Sequence, residues 1–215
     1  MQYAKGIHTK EYIYKTAKQL MYENGYKKAT YSMISKKAEV PVGLVNYYYK
    51  KQELLDSIYN DIIDSIQELI GQQNLKDLNH LQNHILLSHI MITQIFADPQ
   101  AREFHMEITD ENLLSLEVHD KVRYRQIEAM KEYPASLSSG NYYWYASAEY
   151  GARRELILQN KNLAVDDPKF KELRDLISTI SFRIVGLPHG LIQENLESVN
   201  AIFNRMDYSG IHLLP

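Results

Sequence analysis

Apolar residues recur at helical spacing along nearly the whole chain, and no stretch alternates with the two-residue period of a strand. Ile13, Ala17, Leu20 and Met21 share one side of a first helix, which Thr9 can cap and Gly25 can end. Met33, Ile34 and Ala38 form the inner face of a short second helix opened by Thr30, and Glu39-Val40-Pro41 makes a turn into a third. Pro41 suits the first position of that third helix, where its missing N–H would have no partner anyway. Leu54, Leu55, Ile58, Tyr59, Ile62, Ile66, Leu69 and Ile70 predict a long fourth helix stopped at Gly71, and the run from Leu78 to Phe96 a fifth one buried on most sides. Asp98-Pro99 and Asp167-Pro168 are cap-and-first-turn signals for a sixth and a ninth helix. Asp110 is expected to open a seventh helix closed by Pro134, Ser138 or Ser139 an eighth, and Leu191, Leu196, Val199 and Phe203 mark a tenth beyond Gly186, Pro188 and Gly190.

The expected fold class is therefore all-α, with about nine to ten helices. A three-helix helix-turn-helix unit at residues 1–50 precedes a larger helical unit at residues 51–215, and the fourth helix joins them as a rigid rod. Charge separates the same two units. Residues 1–53 hold ten Lys, no Arg and four Asp or Glu, a net +6, whereas the remainder carries −9. A basic head on an acidic body suits a duplex-facing end, because Lys displaces counterions from phosphates.

The third helix is short, so few of its positions can reach a duplex. Gly43 would let the backbone approach closely, Asn46 can pair with an adenine edge, and Val42 or Leu44 can touch a thymine methyl. The hydroxyls of Tyr47 and Tyr48 and the amines of Lys50 and Lys51 suit phosphates, as do Thr30 and Ser32 at the start of the second helix. Val45 and Tyr49 fall on the inner side.

Gly25-Tyr26, Thr30, Ile34, Ala38, Val40, the Gly-Leu-Val-Asn-Tyr-Tyr-Tyr run from Gly43 to Tyr49, and then Glu53 and Leu55 resemble the tetracycline-repressor (TetR) family of bacterial transcriptional regulators. The resemblance covers roughly a quarter of the chain. It implies a homodimer whose helical body binds a small molecule and thereby releases a palindromic double-stranded DNA operator. Three positions depart from the family pattern. Pro41 replaces a usual Ser or Thr, Glu39 replaces a usual Gly, and Lys51-Gln52 stand where Asn or Ser followed by Lys is usual. A phosphate contact of that lysine would pass to Lys51 or Lys50.

In the body, Ala148, Gly151 and Ala152 permit close helix approach, and Leu173, Ile177, Ile180 and Ile184 continue a ninth-helix stripe, so these residues are the expected dimer seam. Phe104, Tyr124, Tyr142, Trp144, Tyr145 and Glu149 are candidates to line an effector pocket of apolar walls with a polar anchor. His80, His84 and His89 stand at near-helical spacing. Without carboxylates or thiols beside them they read as surface histidines rather than metal ligands, and neither metal nor cofactor is expected. The chain has no Cys, no apolar leader and no run near the roughly 20 residues of a membrane span, so a cytoplasmic protein without a membrane partner is expected. No nucleophile elbow, Gly-rich phosphate loop or paired-carboxylate motif supports an enzyme. The alternative is an architectural or division-control DNA-binding protein that uses the same head with no inducer.

Overall fold

The computed structural model describes residues 2–73, 75, 78–133 and 142–215, and among these the regular elements are all helices. In chain order they are α1 (Gln2–Asn24), α2 (Tyr31–Ala38), α3 (Val42–Tyr48), α4 (Lys51–Gln72), α5 (His80–Ala97), α6 (Pro99–Asp110), α7 (Leu116–Lys131), α8 (Tyr142–Gln159), α9 (Pro168–Ile184) and α10 (His189–Phe203).

Most boundaries follow from local chemistry. Gly25 ends α1 at φ +80°, in the region where a Cβ is strained. The Asp98 carboxylate accepts from the N–H groups of Gln100 and Ala101, and that of Asp167 from Lys169, each with proline in the first turn.

Four boundaries differ from expectation. Thr9 lies inside α1, since Thr in a helix interior costs under about 1 kcal/mol relative to Ala. Pro41 is the residue before α3, with an extended backbone (φ −58°, ψ 141°) and no side-chain cap. Gly71 sits within the last turn of α4 rather than ending it. Asp110 closes α6. The chain turns back at Asn112 (φ 53°), a residue that tolerates the left-handed region, and the Ser115 hydroxyl caps α7 instead. Pro134, Ser138 and Ser139 lie outside the described residues.

The central element is α5, which packs against α4, α6, α7, α9 and α10. Its Ile85, Leu86, Ile90 and Ile95 are fully buried, so the apolar surface of the body closes around this one helix. The two inner histidines of α5 are buried too. His84 and His89 are core residues, not surface ones, and only His80 is exposed. A helix enclosed on most sides has no solvent face to give them. After α10 the chain folds back and buries Ile211, Leu213 and Leu214, with the Gln94 amide donating to the Tyr208 carbonyl.

Candidate nucleic-acid interface and the body behind it

Helices α2 and α3 rest on Ile34, Ala38 and Val45, all buried. The Thr30 hydroxyl caps α2 by accepting from the Met33 N–H at 3.3 Å, and the Ser35 hydroxyl donates to the Val40 carbonyl, closing the turn between the helices. Glu39 holds that turn at φ 54°, ψ 39°. With Val45 pointing inward, helical geometry turns Val42, Gly43, Asn46 and Tyr47 outward, and all four are exposed. Tyr47 stands 80 % exposed, the most open of the large apolar side chains among the described residues. A Cβ at Gly43 would meet nothing within 4 Å, so no neighbour within the chain requires glycine there. Ser32, Lys28, Lys36 and Lys50 are exposed on the same head.

Other expected contacts are partly committed elsewhere. Leu44 and Tyr48 are half-buried. The Tyr48 ring packs edge-on to Tyr47, and its hydroxyl lies 3.3 Å from where a side chain at Gly6 would begin. The Lys51 amine turns inward. It donates to the Lys27 carbonyl at 3.1 Å and sits 4.6 Å from the Tyr26 ring centroid, and burial pulls its pKa below the usual lysine value. Gln52 bridges the Asp56 carboxylate and the Leu113 carbonyl, away from the α3 surface.

The head is bound to the body at a joint that no local pattern reveals. Glu107 of α6 accepts from the N–H groups of Tyr26 (2.8 Å) and Lys27 (3.0 Å) in the turn after α1. A Cβ at Gly25 would come within 2.8 Å of this carboxylate, so any other residue there would push Glu107 off its two donors as well as strain the backbone. Lys27 also pairs with Glu111 at 2.8 Å, but both side chains are about half exposed. A surface pair contributes under about 1 kcal/mol, whereas hydrogen bonds to a charged group contribute about 1.5–3 kcal/mol each. The carboxylate of Glu107 therefore outweighs the Lys27–Glu111 pair at this turn. On the body side, Arg154 of α8 donates to the carbonyls of Thr109 and Asp110, tying the end of α6 to α8.

The candidate effector residues do not gather into one cavity. Phe104 is buried against Tyr59, whose hydroxyl bonds His105 at 2.7 Å. Tyr124 and Trp144 are exposed, and the side chain of Tyr142 lies outside the described residues. Tyr145 and Glu149 line a void of about 10 Å³. Glu149 also lines a neighbouring inner cavity of about 40 Å³, with walls of Leu87, Met91, Ile92, Ile157 and Ile177 and polar groups from His84, His105, Gln126 and Arg153. Burial lowers the pKa of His84 to about 3 and of His105 to about 4, with the Arg153 charge acting in the same direction, so both rings are neutral.

Of the expected dimer residues, Leu173 and Ile177 are buried within the chain, Ile180, Ile184 and Ala152 are half-buried, and Ala148 and Gly151 are exposed. Beneath α9, His89 Nε2 lies 3.0 Å from the Ser178 hydroxyl and 3.3 Å from the Asp175 carboxylate. The three residue types match a hydrolase triad, but both partners use the same ring nitrogen and Ser178 is fully enclosed, so no proton relay to a nucleophile exists there. No group of three metal-binding side chains converges among the described residues. Among them, too, no helix is long and apolar enough to cross a membrane.

Residues 13–58 match the family model described as bacterial regulatory proteins, tetR family. Among solved structures the chain is similar to RolR in complex with the ligand resorcinol, with a TM-score of 0.57 at 15 % identity, covering 89 % of this chain and 94 % of that one. It is also similar to a protein from Shewanella sp. PV-4 assigned to the tetR family of transcription regulators, with a TM-score of 0.51 at 19 % identity, covering 82 % and 95 %. No curated protein matches the chain.

Proposed function

We propose that this chain, a TetR-family transcription regulator, is a repressor that holds a palindromic operator as a homodimer and releases it when a small molecule enters the helical body. In this reading residues 1–50 read DNA and residues 51–215 sense and dimerise. One observation carries it: α3 leaves Val42, Gly43, Asn46 and Tyr47 open on a single surface, beside the free amines of a head with net positive charge. The effector half is supported by the Glu107 joint, which couples α6 to the α1–α2 turn, and by the similarity to RolR, whose structure holds resorcinol.

Two copies would pair through the exposed stripe of Trp144, Ala148 and Gly151 on α8, joined by Ile180 and Ile184 of α9. Nothing lies within 4 Å of a Cβ at Gly151, so a side chain there can start outward without a clash. Gly151→Arg should not lower the melting temperature of the isolated subunit, because Arg is the better helix former, and should shift the sedimentation profile from dimer to monomer. A dimer that survives this change places the seam elsewhere.

Such a dimer presents two α3 helices about 34 Å apart, one duplex turn, or a multiple of it. Gel shifts on duplexes from around the chain's own coding region test the DNA half. Asn46→Ala should cost about 1–3 kcal/mol and relax preference at one base pair per half-site. Tyr47→Phe should weaken binding across all sequences alike. Unchanged affinity in both variants would remove α3 as the reading helix. An operator complex that no small molecule dissolves would instead favour the architectural reading, which the small size of the inner cavity also suits.

A further inference from the structure

A groove of about 590 Å³ opens on the outside of the body between α4, α5 and α7, lined by Gln67, His84, Lys121, Tyr124 and Arg125 among others. His84 lines both this groove and the inner cavity, so its ring is the partition between them. Building on the effector reading above, we propose that this groove admits an effector that is a small organic monoanion, a carboxylate on a compact apolar or aromatic body, anchored by Arg125 and His84.

The polar inventory carries this choice. Lys121 pairs with Asp64 at 2.7 Å, Glu128 with Lys131 at 2.6 Å, His80 with Glu132 at 3.1 Å and Arg153 with Glu149 at 2.8 Å. Arg125 has no ion pair within 4 Å among the described residues, the Asp64 carboxylate that acts on it from farther away being held by Lys121, and its Nη1 is buried with no hydrogen-bond partner. His84 is 5 % exposed and meets Phe182 edge-on, yet no described protein group hydrogen-bonds either ring nitrogen. The Gln126 amide, equally buried on the inner side, is in the same state.

A carboxylate matches a guanidinium fork in two-point fashion and supplies a close counterion to Arg125, since Glu128, the acidic residue of the lining, is held by Lys131. A neutral ligand would leave Arg125 without a close counterion, and a cation would be repelled by it. The ligand body has the exposed Tyr124 ring beside it. The inner cavity as it stands holds a few waters at most, so deeper entry requires His84 to turn and Met91, a flexible side chain, to repack. That repacking would displace α5 against α6, the helix bearing Glu107.

The test uses the full-length protein at fixed pH and ionic strength, with benzoate and 1-naphthoate set against benzamide and 1-naphthamide, read by calorimetry and thermal melting. The acids should bind and raise the melting temperature, with the amides at least tenfold weaker. Arg125→Gln should abolish that preference, Arg125→Lys should keep part of it, and Lys37→Gln, which removes a cation paired with Glu23 on the head and away from the groove, should keep all of it. Amides that bind as well as the acids, an acid preference that survives Arg125→Gln, or no binding by either acid would each overturn the proposal. A neutral compound that dissolves the operator complex would overturn the anion assignment alone and leave the effector-controlled regulator standing. Acids that bind through Arg125 without changing operator affinity would keep the anion site and overturn its role as the effector site.

Discussion

The head keeps its working groups outside: Asn46 and Tyr47 are exposed, and Lys28, Lys36 and Lys50 carry their charge in water. The body keeps its polar groups inside, with His84, His89, His105, Gln126 and Glu149 all buried around an apolar helix. Charges in water are governed by ionic strength, and neutral bases in a core by the cost of protonating them. The two halves should therefore answer to different variables, salt for the head and pH for the body, and the Glu107 joint is where one can affect the other.

The largest expected effect is on the body. Burial holds His84 and His89 at about 3 and His105 at about 4, against 6.5 when exposed. For His89 the nearby Asp175 pulls the other way and does not win. Because these folded-state values are depressed, the unfolded chain takes up protons first. This contribution is fully present well above pH 6.5 and is lost as the pH falls through 6.5 toward about 4 for His105 and about 3 for His84 and His89, by at most about 1.4 kcal/mol per pH unit for each histidine. Melting followed from pH 7.5 to 5 should show a steep decline, shallower in His84→Leu. A flat profile would mean that the rings are not held neutral.

Salt should separate the halves next. If a dimer neutralises about six phosphates, operator affinity falls roughly a thousandfold between 50 and 200 mM salt, while the melting temperature of the free protein barely moves. Equal salt sensitivity of both would erase the distinction.

The joint comes third. Glu107→Gln retains the shape and removes the charge that receives two N–H donors, at a cost of about 2 kcal/mol. Hydrogen exchange at the Tyr26 and Lys27 amides should accelerate roughly thirtyfold with α5 protection unchanged. Faster exchange throughout α5 would show that head and body unfold as one unit.

The smallest effect belongs to the turn. Glu39 occupies a left-handed backbone conformation that glycine adopts without strain, so Glu39→Gly should stabilise the head by about 1 kcal/mol, read as a rise in its denaturation midpoint.

Local chemistry made much of this molecule legible in advance. The Thr30 cap, the Gly25 stop and the two Asp-Pro starts act over one to four residues, and the inward phase of Val45 dictates the outward phase of Asn46 and Tyr47. Such signals fail where long-range contacts compete with them. Lys51 reads as a phosphate ligand by position, but the Lys27 carbonyl and the Tyr26 ring, more than twenty residues earlier, take its amine. His84 and His89 read as surface groups because periodicity alone does not say how many neighbours a helix has, and α5 has them on nearly every side.

Composition and spacing alone thus determined the helical class, the separation into basic head and acidic body, and the outward face of α3. Tertiary structure decided which polar groups lost their water. Glu107 reaches back some eighty residues to Tyr26, and His84 and Arg125 come together from different helices. A helix start is set by hydrogen bonds among neighbours in the chain. Desolvation of a side chain depends on whichever distant element packs over it, and that information is not local to any stretch of sequence.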